Sequence, residues 1–405
     1  MTHRALLCLC LLALACGDDD RTPSGPSDLG NRDGSVATDA TVDDAGEPTD
    51  LGMDAGPVVC TREPRAADRE RFVVVAHPFV PDYEVLTLGT DGELGRPDIR
   101  FRMRKAAEAR IAFTADGEVG VAVQDDGTLG IFRLDEEGNV SIVDRGYTGE
   151  FHAANIVADP SGSSFWILDS QFRAIGGGLY RIDLDCSGQV IRESLVAPGQ
   201  LPYAMAFEDD VRALVLAKDV FNSAAGADVH RVNLSTGTVL ASTDTFTGDD
   251  WIGAGFALSS KHAFAGNASQ FDTVPNAVAV TTLTASPTLA QTVEVPDPTS
   301  IVVSPFEDRV LVVSGFGDAI FQYAYATDAA MPLSALGEVE YATRGPAIPT
   351  IADMVTVGDD AGLVLVSENV AVRRLRFTEG AVTDLGPFEL GEGNESIAGA
   401  LGIQP

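Results

Sequence analysis

Residues 229–239 read VHRVNLSTGTV: an apolar strand, a short polar turn, a glycine, one further residue and a valine. The same order returns in residues 86–94 (LTLGTDGEL), 131–140 (IFRLDEEGNV) and 180–190 (YRIDLDCSGQV), and more weakly in residues 372–382 (VRRLRFTEGAV). Each copy predicts a β-hairpin, because its glycine supplies the positive φ that a tight hairpin turn needs. The folded part of the chain is therefore expected to consist of repeated hairpins.

A second repeated strand, rich in small residues, lies about twenty residues before most of these hairpins. Its copies are Ile111–Gly117, Ala153–Asp159, Tyr203–Glu208, Ile252–Leu258, Ser300–Ser304 and Ile351–Val355. Their spacing of about 44 to 54 residues is the period of a four-stranded propeller blade. Small side chains suit an innermost strand, because neighbouring blades crowd together at the axis.

The two ends of this region complement each other. A seventh small-residue strand, Ser396–Gly402, has no blade after it, and the domain begins at Phe72–Val75 with no such strand before it. Joining the ends would complete one shared blade and close the ring without a free edge.

These strands and hairpins resemble those of the YVTN and lactonase-like β-propellers over roughly residues 70–405. The resemblance implies an all-β fold with seven four-stranded blades, the ring being closed by the C-terminal strand. The segments around Val278–Val280 and Ile320–Tyr323 lack the glycine hairpin, so an eight-bladed ring and a pair of sandwiches stay open as alternatives.

The N-terminus has the pattern of a secretion signal. Arg4 precedes the apolar run Ala5–Ala15, which is too short to span a bilayer core of about 30 Å. The segment Leu12–Cys16 resembles a bacterial lipobox, which implies a signal peptide over residues 1–15 and acyl chains on Cys16. An ordinary signal peptide with an unmodified Cys16 is the alternative. Gly17, rather than an aspartate, follows the cysteine and favours the outer membrane in proteins of this kind.

Residues 16–59 are expected to form a disordered acidic linker between the lipid anchor and a domain spanning residues 60–405. From Gly17 to Val59 there are eleven acidic residues, two arginines and no aromatic residue. Such a segment buries too little apolar surface to offset its ordering entropy.

The charge of the chain bears on its partners. Its net charge is −33, and about −25 remains on residues 60–405. This balance argues against nucleic acid and against a basic membrane-binding face. Neutral, cationic or metal-bearing partners are favoured, and the domain is expected to be a monomer. Two cysteines, Cys60 and Cys186, remain outside the signal and lipid site, so a disulfide between them is predicted in an oxidising compartment.

Function in a propeller is expected where the loops before the inner strands converge on the central channel. The residues at these positions are Glu108, His152, Tyr203, Asp250, Trp251, Thr299, Asp353 and Glu395. Several carboxylates around one opening would suit a hard cation such as Ca²⁺, although chance in so acidic a chain gives the same pattern. The side chain of Trp251, next to Asp250, suits either a sugar-binding platform or a packed turn.

No nucleophile motif or spaced metal ligands stand out, so catalytic residues are not assigned. The leading hypothesis is a non-enzymatic envelope lipoprotein whose propeller binds a protein, glycan or small ligand. A metal-assisted hydrolase or lactonase at the channel mouth is the alternative, and a purely structural envelope component is a third hypothesis.

Overall fold

The computed structural model describes residues 58–405 except residues 78, 170–176, 200–201, 218–226, 247–252, 269–275 and 391–398, and without the side chains of residues 108 and 109. The predicted signal peptide, Cys16 and nearly all of the predicted linker lie outside the described residues. The described residues form 28 β-strands and no helix, and hence no helix that could cross a membrane.

The strands form seven separate four-stranded sheets, each antiparallel throughout. Blades 1 to 6 follow one another along the chain, and each begins at its innermost strand. Blade 1 contains β4 (Ala107–Phe113), β5 (Val119–Gln124), β6 (Leu129–Leu134) and β7 (Val140–Tyr147), and blade 2 contains β8 (Ala153–Ala158), β9 (Ser164–Asp169), β10 (Gly178–Leu184) and β11 (Val190–Pro198). Blade 3 contains β12 (Pro202–Asp209), β13 (Arg212–Ala217), β14 (Val229–Asn233) and β15 (Thr238–Thr243), and blade 4 contains β16 (Gly253–Leu258), β17 (His262–Asn267), β18 (Ala277–Thr282) and β19 (Leu289–Glu294). Blade 5 contains β20 (Pro298–Val303), β21 (Arg309–Ser314), β22 (Ala319–Tyr325) and β23 (Leu333–Glu338), and blade 6 contains β24 (Ala352–Val357), β25 (Asp360–Glu368), β26 (Ala371–Thr378) and β27 (Ala381–Glu389).

The closing blade joins the two ends of the domain. It contains β28 (Leu401–Ile403), β1 (Arg71–Ala76), β2 (Asp82–Leu88) and β3 (Leu94–Arg102), in that order from the axis outwards. β28 pairs with β1 through Val73–Ile403, Val74–Gly402 and Val75–Leu401. The prediction of a seven-bladed ring closed by the C-terminal strand is confirmed.

The hairpin glycines have the backbone conformation that the sequence predicts. Gly92, Gly138, Gly188, Gly237 and Gly380 have φ values between 66° and 88°. At Gly237 a β-carbon would lie 1.9 Å from the carbonyl oxygen of Val196, so only glycine fits there. The two segments without this glycine still form hairpins, with longer connections between β18 and β19 and between β22 and β23.

Seven apolar clusters hold the ring together, one at each seam between neighbouring blades. At the seam between the closing blade and blade 1, for example, Val85 of β2 packs with Phe132 of β6, and both are fully buried. Burying one side chain of this size contributes about 1.5–3 kcal/mol to folding. Because every seam has such a cluster, each blade is supported on both faces.

Residues 58–70, the N-terminal strap, run under the turns that join the first and second strands of several blades. Cys60 is bonded to Cys186 of blade 2 with an S–S distance of 2.09 Å. Further along the strap, Arg62 forms an ion pair of 2.7 Å with Asp116 of blade 1. The carbonyl oxygen of Ala67 then accepts a 2.9 Å hydrogen bond from Gly358 of blade 6. The strap thus connects blades 1, 2 and 6 before the chain enters β1.

Candidate active site in the central channel

The inner strands of all seven blades surround the axis, and five of them are irregular at their first residues. In blades 1 to 5 the pairing between the first and second strands shifts register near this end. Such bulges redirect side chains and are frequent beside functional sites. They lie at the same end of the channel as the predicted site residues.

Asp353 and Arg110 are oppositely charged residues on two inner strands, and the charge of Arg110 influences Asp353. Asp353 lies on β24 and Arg110 on β4, and both strands contact β28 from opposite sides. Burial raises the pKa of Asp353 above its ordinary value, while the positive charge of Arg110 opposes this shift. Water still reaches part of the Asp353 side chain, as expected in a narrow channel that is otherwise enclosed by protein.

Small residues and local hydrogen bonds fix the channel wall around this pair. At Gly402 of β28 a β-carbon would lie 2.4 Å from the carbonyl oxygen of Ile111, so glycine allows β4 to approach closely. One oxygen of Asp353 accepts a 2.9 Å hydrogen bond from the backbone N–H of Met354. Asn155 of β8 is held in the same way by the N–H of Ile156, and it donates a 3.0 Å hydrogen bond to the carbonyl of Tyr203. These side chains therefore have little freedom to turn away.

The loops at this end of the channel are tied to the ends of the second strands. Gln124, the last residue of β5, accepts a 2.5 Å hydrogen bond from the backbone N–H of Lys105, two residues before the inner strand β4. Ser367 of β25 accepts a 3.1 Å hydrogen bond from the N–H of Ile351, directly before the inner strand β24. Buried polar side chains at equivalent places thus position the segments that lead into the channel.

The other described residues of the predicted ring have different surroundings. The Tyr203 ring covers Gly253, where a β-carbon would lie 2.5 Å from it, and burial raises the pKa of Tyr203 to about 12. His152 is exposed, and its ring lies over Gly127. The hydroxyl of Thr299 contacts the carbonyl oxygens of Val313 (3.2 Å) and Pro349 (3.4 Å), which gives it a structural role.

Four predicted site residues lie outside what is described: the side chain of Glu108, and Asp250, Trp251 and Glu395. Among the residues that the structure does describe, no group of three or more His, Cys, Asp or Glu side chains is arranged to hold a metal ion.

Sequence reasoning did not find Arg110. The residue lies between the bulged start of β4 and its regular part, and the register shift between Ala107 and Ile111 decides where its side chain points. Its position in a small-residue strand was a usable signal, since a long cation is unusual among alanines and glycines at a crowded axis.

No protein-family model and no curated protein matches this sequence. Solved structures do match its fold. The periplasmic gluconolactonase of Pseudomonas aeruginosa is 13% identical with a TM-score of 0.60, over 83% of this chain and 99% of its own. A putative 6-phosphogluconolactonase of Bacteroides fragilis is 11% identical with a TM-score of 0.59, over 84% of this chain and 99% of its own.

A structure with another role is similar too. Sqt1 of Chaetomium thermophilum, solved bound to the N-terminus of ribosomal protein L10, is 14% identical with a TM-score of 0.52, over 80% of this chain and 88% of its own. Likeness at such low identity concerns the fold alone. The folded part of this chain is therefore a seven-bladed β-propeller, similar in fold to a structure described as a gluconolactonase and to one described as a putative 6-phosphogluconolactonase.

Proposed function

We propose that this chain is a membrane-anchored envelope protein whose propeller channel binds a small, neutral, hydroxyl-rich molecule. The observation that carries the proposal is the position of Arg110 and Asp353 on two inner strands that flank β28 on opposite sides. A guanidinium donates hydrogen bonds to a carbonyl oxygen, and a carboxylate accepts them from hydroxyl groups or water. A net charge of −33 disfavours the approach of anions, so a neutral molecule suits this channel best.

Hydrolysis of a sugar lactone is a second candidate function, which the two lactonase-like structures favour. In this reaction Asp353 takes a proton from water while the oxygen of that water attacks the lactone carbonyl carbon. Arg110 stabilises the negative charge that develops on the carbonyl oxygen. The ring C–O bond then breaks, and the proton passes to the leaving oxygen, giving the hydroxy acid. A raised pKa suits Asp353 to this role as a general base.

The channel proposal predicts how two variants bind D-glucono-1,5-lactam, a stable ring analogue of the lactone. We expect Arg110→Met to weaken binding about tenfold or more, because a charge-assisted hydrogen bond is lost. Asp353→Asn should keep most of the binding but abolish hydrolysis of D-glucono-1,5-lactone. Isothermal titration and a pH-stat assay measure the two effects.

A matched control is Arg133→Met, which removes a half-buried arginine of the same blade that pairs with Glu118 at 3.0 Å. This variant should bind like the wild type. Binding without hydrolysis in the wild type would retain the binding function and reject the lactonase. Equal binding by Arg110→Met and the wild type would contradict the channel site.

The anchor has a separate test. If Cys16 carries acyl chains, labelled palmitate should enter the wild-type protein and not Cys16→Ala, and only the wild type should sediment with membranes. A single chain binds membranes marginally and several bind stably, so the difference should be large. Equal labelling of the two proteins would overturn the proposed anchor.

A further inference from the structure

The segment that joins the closing blade to blade 1 is rich in positive charge. Residues 100–105 contain four of the 27 basic residues of the chain and no acidic residue, although the net charge of the chain is −33. The segment begins on β3, the outermost strand of the closing blade, and ends two residues before β4, the innermost strand of blade 1. It therefore crosses the channel-mouth end of the propeller from the rim towards the axis.

Hydrogen bonds bring a further arginine, Arg145 of β7, to this segment. The backbone N–H of Arg104 donates a 3.1 Å hydrogen bond to the carbonyl oxygen of Arg145, and Nη1 of Arg145 donates one to the carbonyl oxygen of Arg102. The Arg104 side chain lies over Gly146, where a β-carbon would be 2.6 Å from its Cδ. Lys105 follows directly in the chain. Arg102, Arg104, Lys105 and Arg145 thus form one group, the cationic rim cluster.

The charges of the cationic rim cluster are accessible to a ligand. The side chains of Arg102 and Arg104 are 66% and 54% exposed, and their nearest carboxylates, on Asp82 and Asp126, lie at 3.6 Å. Exposed ion pairs of this kind contribute little, because water and salt screen them. The other two members of the cluster are exposed as well. Four cations that the backbone holds together repel one another, so an anionic group placed among them is stabilised.

The cluster is continuous with the proposed channel site. The backbone N–H of Lys105 donates a 2.5 Å hydrogen bond to Gln124 Oε1, which fixes the turn into β4. β4 is the strand that carries Arg110. Because Arg110 comes five positions after Lys105, their α-carbons are at most about 18 Å apart. A ligand of a few sugar rings is long enough to reach from the channel to the cluster.

We propose that the cationic rim cluster binds the carboxylate of an acidic sugar in an oligosaccharide whose neutral end ring occupies the channel. The inference rests on the proposed function and extends its ligand from one hydroxyl-rich ring to the end of an acidic glycan. Guanidinium and ammonium groups donate charge-assisted hydrogen bonds to a carboxylate. A nucleic-acid duplex or an anionic bilayer fits less well, because either would also meet the acidic remainder of the domain, whose net charge is about −25.

The test compares two tetrasaccharides of equal length with D-glucono-1,5-lactam. In the acidic tetrasaccharide N-acetylglucosamine and glucuronate alternate, whereas the neutral one contains N-acetylglucosamine only. We expect the wild type to bind the acidic tetrasaccharide about five- to tenfold more tightly than the neutral one, and added salt to reduce this difference. Isothermal titration measures the affinity for all three ligands.

A double variant, Arg104→Gln with Lys105→Gln, isolates the cluster from the channel. It should lose the preference for the acidic tetrasaccharide and still bind the lactam like the wild type. Its matched control is Arg212→Gln with Lys261→Gln, which removes two cations of similar exposure, 48% and 51%, from blades 3 and 4. The control should keep the preference. Arg110→Met should weaken binding of both the lactam and the acidic tetrasaccharide.

The outcomes separate this inference from the function on which it rests. Equal binding of the two tetrasaccharides by a wild type that binds the lactam would keep the channel site and overturn the cluster. A preference that survives in Arg104→Gln with Lys105→Gln would overturn it too. A tetraglutamate peptide that binds as tightly as the acidic tetrasaccharide would reject the glycan in favour of an acidic peptide. No binding of the lactam by the wild type would overturn the proposed function, and with it the placement of the neutral ring.

Discussion

His230 shows how a single buried side chain makes the stability of the domain depend on pH. It lies fully buried on β14, with Nδ1 2.9 Å from the hydroxyl oxygen of Ser242. Burial lowers its pKa from 6.5 to about 4. The unfolded chain therefore binds more protons than the folded chain between these values. Stability should fall as the pH drops from 6.5 towards 4, by up to about 3 kcal/mol from this residue.

His230→Asn should remove this contribution, because the amide can still bond to Ser242 but does not titrate. The variant loses some packing at every pH, yet its free energy of unfolding should change less between pH 6.5 and pH 4 than that of the wild type. Urea unfolding at a series of pH values measures the difference. His152→Asn, at an exposed position, is the control and should keep the wild-type slope. Parallel curves for His230→Asn and the wild type would refute this role of His230.

At the scale of an element, the N-terminal strap is the part that depends most on one covalent bond. The disulfide Cys60–Cys186 closes a loop across 126 residues of sequence separation. Removing a disulfide from a small secreted domain costs about 2–5 kcal/mol, and long loops lie towards the upper end in the chain-entropy model. The ion pair of Arg62 with Asp116 and the hydrogen bond from Gly358 to Ala67 remain when the bond is removed.

We expect the double variant Cys60→Ser, Cys186→Ser to lower the free energy of unfolding by about 2–5 kcal/mol. Dithiothreitol should lower the stability of the wild type by a similar amount and leave the double variant unchanged. Denaturant unfolding with and without the reductant tests both statements. A wild type that is insensitive to dithiothreitol while a thiol assay shows the bond reduced would contradict a stabilising disulfide.

The inner strands show why the candidate site was harder to predict than the fold. A strand pattern places Asp353 and Tyr203 near the channel mouth, because both follow the loops that lead inwards. It does not say that Thr299 is engaged by backbone carbonyls, or that His152 lies over Gly127 at the rim. These outcomes depend on bulges and on neighbouring blades, which leave no periodic trace in the sequence.

At the scale of the whole molecule, a local rule was sufficient to predict the ring. Glycines such as Gly188 and Gly237 recur because their hairpins require positive φ. The blade count follows from the seven small-residue strands, because two blades lack the hairpin glycine. The closing strand was predictable because the N-terminal end of the domain lacked an inner strand, whereas the C-terminal end had an inner strand with no blade after it. In the structure it is described as Leu401–Ile403; of the predicted Ser396–Gly402, residues 396–398 lie outside the described residues.

Contacts between residues far apart in the sequence could not be predicted from these local repeats. Arg110 and Asp353 lie on strands separated by most of the chain and become neighbours only when β28 closes the ring between them. The functional proposals therefore depend on ring closure, whereas the repeats that led to the fold are visible blade by blade.

A crystal structure of the protein with D-glucono-1,5-lactam tests the central claim most directly. We predict ligand density in the channel, with the lactam carbonyl oxygen within hydrogen-bonding distance of the Arg110 guanidinium and a ring hydroxyl beside Asp353. Ligand bound elsewhere on the propeller, or a channel that holds only water at a saturating ligand concentration, would contradict it.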